Sequence, residues 1–251
     1  MKLGRIFGIN VSVHWSFLIA LTWFTAGEVF GPTSISFIVT TLVFGIILLH
    51  EFGHSLTAKY LGHKAEHINI NLLGGIALID DENKVSNIKW WKSFFISSAG
   101  PAINIVIAFV MSLTAIFLGF DNFEVFTSTK GKVPDLELAH AIGSVEYIFY
   151  IVYILNIVLL LFNLLPIYPL DGGQILHSLI WGILKLFRVK RARCLSGFAC
   201  SVLGMLGGGF FAVFGTIHFI PVLVLIGLFV GLVSFVASNK FLSDYKNRVE
   251  A

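Results

Sequence analysis

Hydrophobic residues fill the chain in long blocks near 10–30, 35–60, 93–119, 140–165, 195–214 and 217–238, with polar residues gathered between them. A helix needs about 20 predominantly apolar residues to cross a bilayer, so each block predicts one span. The last two blocks are joined tightly around Gly215 to His218. Gly204, Gly207, Gly208 and Gly209 predict close packing or a bend in the fifth span. Two of the segments between blocks have periodicities of their own. Within 61–92, Ile68-Asn69-Ile70-Asn71-Leu72 alternates with period two, Gly74-Gly75 follows, and Ile76-Ala77-Leu78-Ile79 is again β-prone. This pattern predicts a short hairpin or re-entrant strand pair. Residues 174–193 are amphipathic, with Trp181, Lys185, Arg188 and Arg191 placed as in a helix lying on a membrane surface. The expected fold is an all-α polytopic membrane protein. It has about six transmembrane helices and one small strand pair, in a single domain over residues 1–251.

Composition agrees with this pattern and narrows the function. Hydrophobic residues make up 57% of the chain and charged residues 12%, too apolar a balance for an ordinary soluble domain. No Lys/Arg run interleaved with aromatics points to nucleic acid, and the 25 phenylalanines suit lipid-facing and core surfaces. The partner that composition implies is the lipid bilayer. Lys2 and Arg5 precede the first block as in a signal peptide, but no small-x-small cleavage pattern follows. The block is therefore expected to stay as the first span. Cys194 and Cys200 lack metal spacing and are expected to be reduced thiols.

Charge sets the expected orientation. With both termini cytoplasmic, six spans place 15 of the 17 basic residues inside and leave only Lys130 and Lys132 in the outer loop of 120–139. The positive-inside rule favours this arrangement, with the strand pair on the cytoplasmic side of a multi-pass cell-membrane protein.

The candidate chemistry lies in the second block. His50-Glu51-Phe52-Gly53-His54 is an H-E-x-x-H pattern within an apolar run. On a helix, positions i and i+4 share a face, so His50 and His54 can present imidazole nitrogens to one metal ion, with Glu51 beside it as general base. Eight His and eight Glu residues would produce about 0.01 such patterns by chance in a chain of this length. If the helix ends near Tyr60 at the cytoplasmic surface, His50 lies about 15 Å into the membrane. Ionisable residues at that depth are functional candidates.

A catalytic zinc takes three protein ligands and leaves one position for water. His140 and His218 belong near the outer face, away from the motif. His14 enters the first span from the inside, and His177 sits in the amphipathic segment, where an interfacial role is expected. Asp171 is the best candidate. Pro166 and Pro169 precede it and unwind the chain at the inner end of the fourth span. Irregular backbone is tolerated there where it is buried in protein or lines a wet cavity. The alternative is an Asp that caps a helix starting near Gly173.

Taken together, H-E-F-G-H in a transmembrane helix, S-A-G-P-A-I-N at 98–104 and N-L-L-P-I-Y-P-L-D-G-G at 163–173 resemble the site-2 proteases, the intramembrane zinc metalloproteases. Order, spacing and membrane placement match over about residues 1–240, with Gly74-Gly75 between the first two motifs. The likeness is to compact six-span prokaryotic members, without the PDZ insertion or C-terminal CBS pair that many relatives carry. It implies one zinc ion per chain held by His50, His54 and Asp171, with Glu51 as general base and acid. It also implies core spans near 35–60, 93–119 and 140–165 inside peripheral spans near 10–30, 195–214 and 217–238.

Other residues keep two readings. Asn163 either orients substrate or stabilises the oxyanion, or makes an interhelical hydrogen bond. Gly74 and Gly75 either present a strand edge to an extended substrate or form a structural turn. Asn104 is expected in polar helix packing, and Gly100 and Pro101 are expected to bend or start the third helix. The resemblance implies transmembrane protein substrates and regulated intramembrane proteolysis. The alternatives are a zinc or proton transport protein and an inactive scaffold that binds helices. Transport predicts paired polar sites on related spans, whereas the chain has one asymmetric cluster. Loss of Glu51 would be the simplest route to an inactive scaffold, and Glu51 is present.

Overall fold

The computed structural model describes residues 2–27, 29, 33–63, 65–71, 74–79, 88–120, 144–218 and 220–247. The expected outer loop beyond Phe120, and His140 with it, lie outside the described residues. Among the described residues, four strands and seven helices follow in order. They are β1 Lys2–Ile6, β2 Ile9–Val13, α1 Trp15–Ala26, α2 Thr33–Tyr60, β3 Ala65–Asn71, β4 Gly74–Ile79, α3 Trp90–Leu118, α4 Ser144–Asn163, α5 Asp171–Leu186, α6 Ala192–Ile217 and α7 Pro221–Asn247. Five helices, α2, α3, α4, α6 and α7, are long and apolar enough to cross a membrane. The protein is a multi-pass membrane protein on this evidence, with five candidate spans among the described residues.

The expected first span is not among these five: its block holds a strand and a short helix, and residues 28 and 30–32 just after that helix lie outside the described residues. Ile9-Asn10-Val11-Ser12-Val13 alternates buried and more exposed positions as a strand, and α1 has only 12 residues. At 1.5 Å per residue α1 is about 18 Å long, short of a hydrocarbon core of about 30 Å. Apolar content alone had merged a strand and a short helix into one block.

The chain divides into two compact units, residues 1–81 with 99–160, and residues 82–98 with 161–251. In the first unit the sheet order is β1-β2-β3-β4. β1 and β2 are antiparallel, β2 and β3 parallel, and β3 and β4 antiparallel, with Ile70 opposite Gly75 and Asn71 opposite Gly74. The expected strand pair is therefore present, extended by an N-terminal hairpin. Phe7 and Gly8 link β1 to β2 with φ of 50° and 75°. Two positive φ values match the twist of a two-residue hairpin, and Gly8 adopts its value without Cβ strain. Lys59 Nζ donates to the Phe7 carbonyl at 2.8 Å, and the Phe7 ring meets Phe52 edge-on, tying this turn to α2.

Two apolar clusters hold the unit. Ile9, Val11 and Val13 of β2 pack with Ile68 of β3 and Phe52 of α2. Val39 and Ile46 of α2 pack with Tyr147, Tyr150, Ile151 and Val152 of α4, flanked by Ile107 and Met111 of α3. Between spans, where lipid is as apolar as these side chains, such packing contributes chiefly through van der Waals contact. Gly53 lets α2 and α3 approach closely, because a Cβ there would lie 2.7 Å from the Ala99 carbonyl oxygen and 2.9 Å from Ile103 Cγ1.

In the second unit α6 and α7 form an antiparallel pair with touching backbones. A Cβ on Gly208 would meet Gly231 N at 2.5 Å and Gly227 O at 2.7 Å. Gly204, Gly207 and Gly208 thus serve close packing within an unbroken helix, whereas a Cβ on Gly209 would meet nothing within 4 Å among the described residues. Ser178 of α5 donates to Ser93 Oγ at 2.9 Å, and the Trp90 ring lies against Gly182. Cys194 and Cys200 are free and buried.

Candidate metal centre

His50 and His54 are carried by α2 against α3, and Asp171 opens α5. His50 and His54 lie one turn apart on α2, and both are buried. Their Nε2 atoms are 3.1 Å apart, with the rings at 80° to each other. Two zinc–nitrogen bonds of ordinary length at a tetrahedral angle would separate the nitrogens by about 3.3 Å. The pair therefore already has the spacing of two ligands aimed at one ion.

Room for this arrangement comes from α3. A Cβ built on Gly100 would collide with His54 Nε2 and lie 2.6 Å from His50 Nε2. Both imidazoles thus rest against bare backbone. Of the two expectations for Gly100 and Pro101, to bend or to start the third helix, the second is corrected here: α3 begins at Trp90 and continues through Pro101. Pro101 has no N–H to offer the Ser97 carbonyl, and the helix tolerates that loss.

Asp171 is buried and is the first residue of α5, whose N-cap is Leu170. The capping alternative is set aside, since Asp171 stands within the helix instead of before it. A carboxylate in the first turn is also favoured by the helix dipole. The preceding residues 164–170 fold back over this turn. A Cβ on Gly172 would run into the carbonyl oxygens of Leu164 and Leu165, and one on Gly173 would meet Tyr168 N and the Ile167 carbonyl. Asp171-Gly172-Gly173 is therefore a carboxylate followed by two positions where only glycine fits. Gln174 Nε2 donates to the Pro169 carbonyl at 3.0 Å, and Ser234 Oγ to the Tyr168 carbonyl at 2.6 Å.

Candidate ligand atoms of His50, His54 and Asp171 all lie within 4.8 Å of one another. Two imidazoles and a carboxylate are a donor set that zinc accepts. Together with the cradle at Gly100, they fit the ion that the sequence implied. Glu51, the next residue along α2, is also buried.

The other candidate ligands sit elsewhere. His14 is exposed and caps α1, with Nδ1 accepting from Ser16 N at 3.3 Å. His218 is exposed and stacks on Phe214 at the end of α6. The interfacial reading of His177 is corrected: it is buried, bonded through Nδ1 to Ser196 Oγ at 2.9 Å, and packed between Trp181 and Phe241. Burial, followed by the Arg193 charge, lowers its pKa to about 4, against a smaller raising effect from Ser196. Asn163 ends α4, is half-buried, and has no side-chain hydrogen bond among the described residues.

Two residues received no adequate role from the sequence. Asn104 was assigned to helix packing, but its Oδ1 lies 3.2 Å from His50 Nδ1. Asn156 drew no notice, yet its Nδ2 donates to the Asn104 carbonyl at 3.0 Å. A lone amide inside the apolar run of 144–163 is the signal that was available for it.

The profile of Peptidase family M50 matches residues 38–207, a stretch that contains all three motifs. A putative zinc metalloprotease of Synechocystis is 29% identical over 194 residues, covering 73% of this chain and 45% of the relative. A zinc metalloprotease of Methanocaldococcus jannaschii is 28% identical over 188 residues, covering 74% and 48%. The chain thus spans about half the length of these two relatives. A solved structure, the site-2 protease from Methanocaldococcus jannaschii, superposes with a TM-score of 0.64 at 26% identity, covering 95% of this chain and 94% of the other. With its motifs inside the matched region, the chain belongs to peptidase family M50, the site-2 protease family.

Proposed function

We propose that the protein is an intramembrane zinc endopeptidase that hydrolyses peptide bonds within or near transmembrane segments of other membrane proteins. The observation that carries this reading is the convergence of His50, His54 and Asp171 ligand atoms within 4.8 Å, with Glu51 adjacent in sequence and buried. His50, His54 and Asp171 would hold one zinc ion. When bound, zinc supplies Lewis acidity that polarises a carbonyl and acidifies water. Glu51 accepts the proton from the attacking water and then delivers it to the departing amine nitrogen. Buried surroundings strengthen each of these electrostatic interactions relative to water. Asn163, at the end of α4, is assigned to orienting the substrate or its developing oxyanion.

The sheet supports a mode of substrate binding. Among the described residues β4 is at an edge of the β1-β2-β3-β4 order, and it opens with Gly74 and Gly75. An extended segment adding to that edge would gain backbone hydrogen bonds without requiring a particular sequence. A transmembrane substrate must unwind before its scissile bond is accessible, and strand addition offers the unwound backbone new partners. The basic residues support cytoplasmic termini and a site opening to the cytoplasmic half of the membrane. All described elements are read as one membrane-embedded protease domain.

Glu51→Gln tests the mechanism. The variant is expected to keep its zinc and its fold while losing cleavage of a model transmembrane substrate. Full activity in that variant refutes the role of Glu51. Metal flux into proteoliposomes that survives Glu51→Gln would support the transport alternative instead.

A further inference from the structure

We infer that Asn104 is a positioning residue for the metal ligand His50, and that Asn156 secures Asn104 in turn. This inference rests on the reading of His50 as a zinc ligand. An imidazole has two ring nitrogens, and it binds a metal through one only when the proton resides on the other. In the structure His50 Nε2 faces His54 Nε2, and His50 Nδ1 faces Asn104 Oδ1 at 3.2 Å. A carbonyl oxygen accepts but cannot donate. It therefore holds the proton on Nδ1 and leaves the Nε2 lone pair available. The opposite amide orientation would place an NH2 group on Nδ1 and favour the tautomer that cannot bind metal through Nε2.

Position and burial make the contact selective. Asn104 is one turn after Gly100 on α3, so the residue that makes room for the two rings and the residue that orients one of them lie on the same helix face. Asn104 is 0% exposed and Asn156 1% exposed, so water does not compete for these groups from the surface. Asn156 Nδ2 donates to the backbone carbonyl of Asn104 at 3.0 Å. That bond crosses from α4 to α3 and limits sliding of the turn that carries Asn104. His50 is thereby linked through α3 to α4.

The test measures metal binding and requires no turnover. Zinc affinity is read by chelator competition on purified full-length protein, and cobalt in place of zinc reports ligand geometry through its visible spectrum. Asn104→Leu removes the acceptor at similar volume and is expected to lower zinc affinity about 10–100-fold. Asn104→Asp keeps an oxygen acceptor and is expected to restore affinity to within a few-fold of wild type, with a wild-type cobalt spectrum. Wild-type affinity in folded Asn104→Leu overturns the inference while leaving the metal site intact. An equal loss in Asn104→Asp and Asn104→Leu also overturns it, because packing rather than the acceptor would then be responsible. Failure of the wild-type protein itself to bind zinc or cobalt would refute the underlying reading. If the leucine variant does not accumulate, nitrogen-15 spectra of histidine-labelled metal-free wild type decide the matter, with His50 assigned by comparison with His50→Gln. A proton on His50 Nδ1 supports the inference, and a proton on Nε2 overturns it.

Discussion

Gly100→Ala adds one methyl group, yet it is expected to disable the metal centre. The new Cβ would lie 2.6 Å from His50 Nε2 and closer still to His54 Nε2. Ordinary van der Waals contact begins near 3.4 Å. His50 Nε2 would have to retreat by about 0.8 Å, and His54 Nε2 by more, or α3 would have to move away. Backbone retreat is resisted because Gly53 of α2 already sits against Ala99 and Ile103 of the same helix. Overpacking of this kind costs about 1–3 kcal/mol, while a displacement near 1 Å at a reacting centre costs about 10²-fold in rate. The expected outcome is at least a tenfold loss of zinc affinity and a loss of activity near 10²-fold, with a modest drop in thermal stability. Gly45→Ala is the matched control, since it lies on α2 and a Cβ there would meet nothing within 4 Å among the described residues. Zinc competition, cleavage of a transmembrane substrate and thermal denaturation in detergent are measured on both variants. A Gly100→Ala protein with wild-type zinc affinity and turnover would refute the packing argument.

Two further outcomes follow from the second unit. Gly172→Ala should weaken metal binding without altering any ligand, because its Cβ would strike the carbonyl oxygens of Leu164 and Leu165 and shift the turn that carries Asp171; unchanged zinc affinity would count against that placement. His177 has a folded pKa of about 4, below its ordinary value of 6.5, so the unfolded chain binds the proton more readily. Stability from this residue is complete above about pH 6.5 and declines as pH falls towards 4, by an amount on the order of 3 kcal/mol. His177→Gln should flatten the melting temperature against pH across that window, and an unchanged slope would refute the assignment.

Local periodicity made much of the protein legible in advance. Runs of apolar residues marked α2, α3, α4, α6 and α7, because a spanning helix must satisfy its backbone internally and present apolar side chains to lipid. The period-two stretch at 68–72 followed by Gly74-Gly75 marked the β3–β4 pair. His50 and His54 declared themselves through helical spacing; the prolines before Asp171 made it a candidate beside a capping role, and the family resemblance implied it as the third ligand. In the N-terminal block, mean hydropathy does not distinguish Ile9, Val11 and Val13 facing a protein core from the same residues facing lipid.

Long-range packing decided the rest. That Gly100 leaves space for two imidazoles, that Asn104 meets His50 and that Asn156 holds Asn104 are contacts between residues about 50 positions apart. No periodicity along the chain encodes which helix face meets which neighbour. His177 similarly reads as a surface residue by its own segment and is buried only because Ser196 and Phe241 pack over it. The sequence by itself determined the elements and the chemical groups they carry. Tertiary structure decided which groups face one another, because burial, ring orientation and proton placement depend on atoms contributed by other helices.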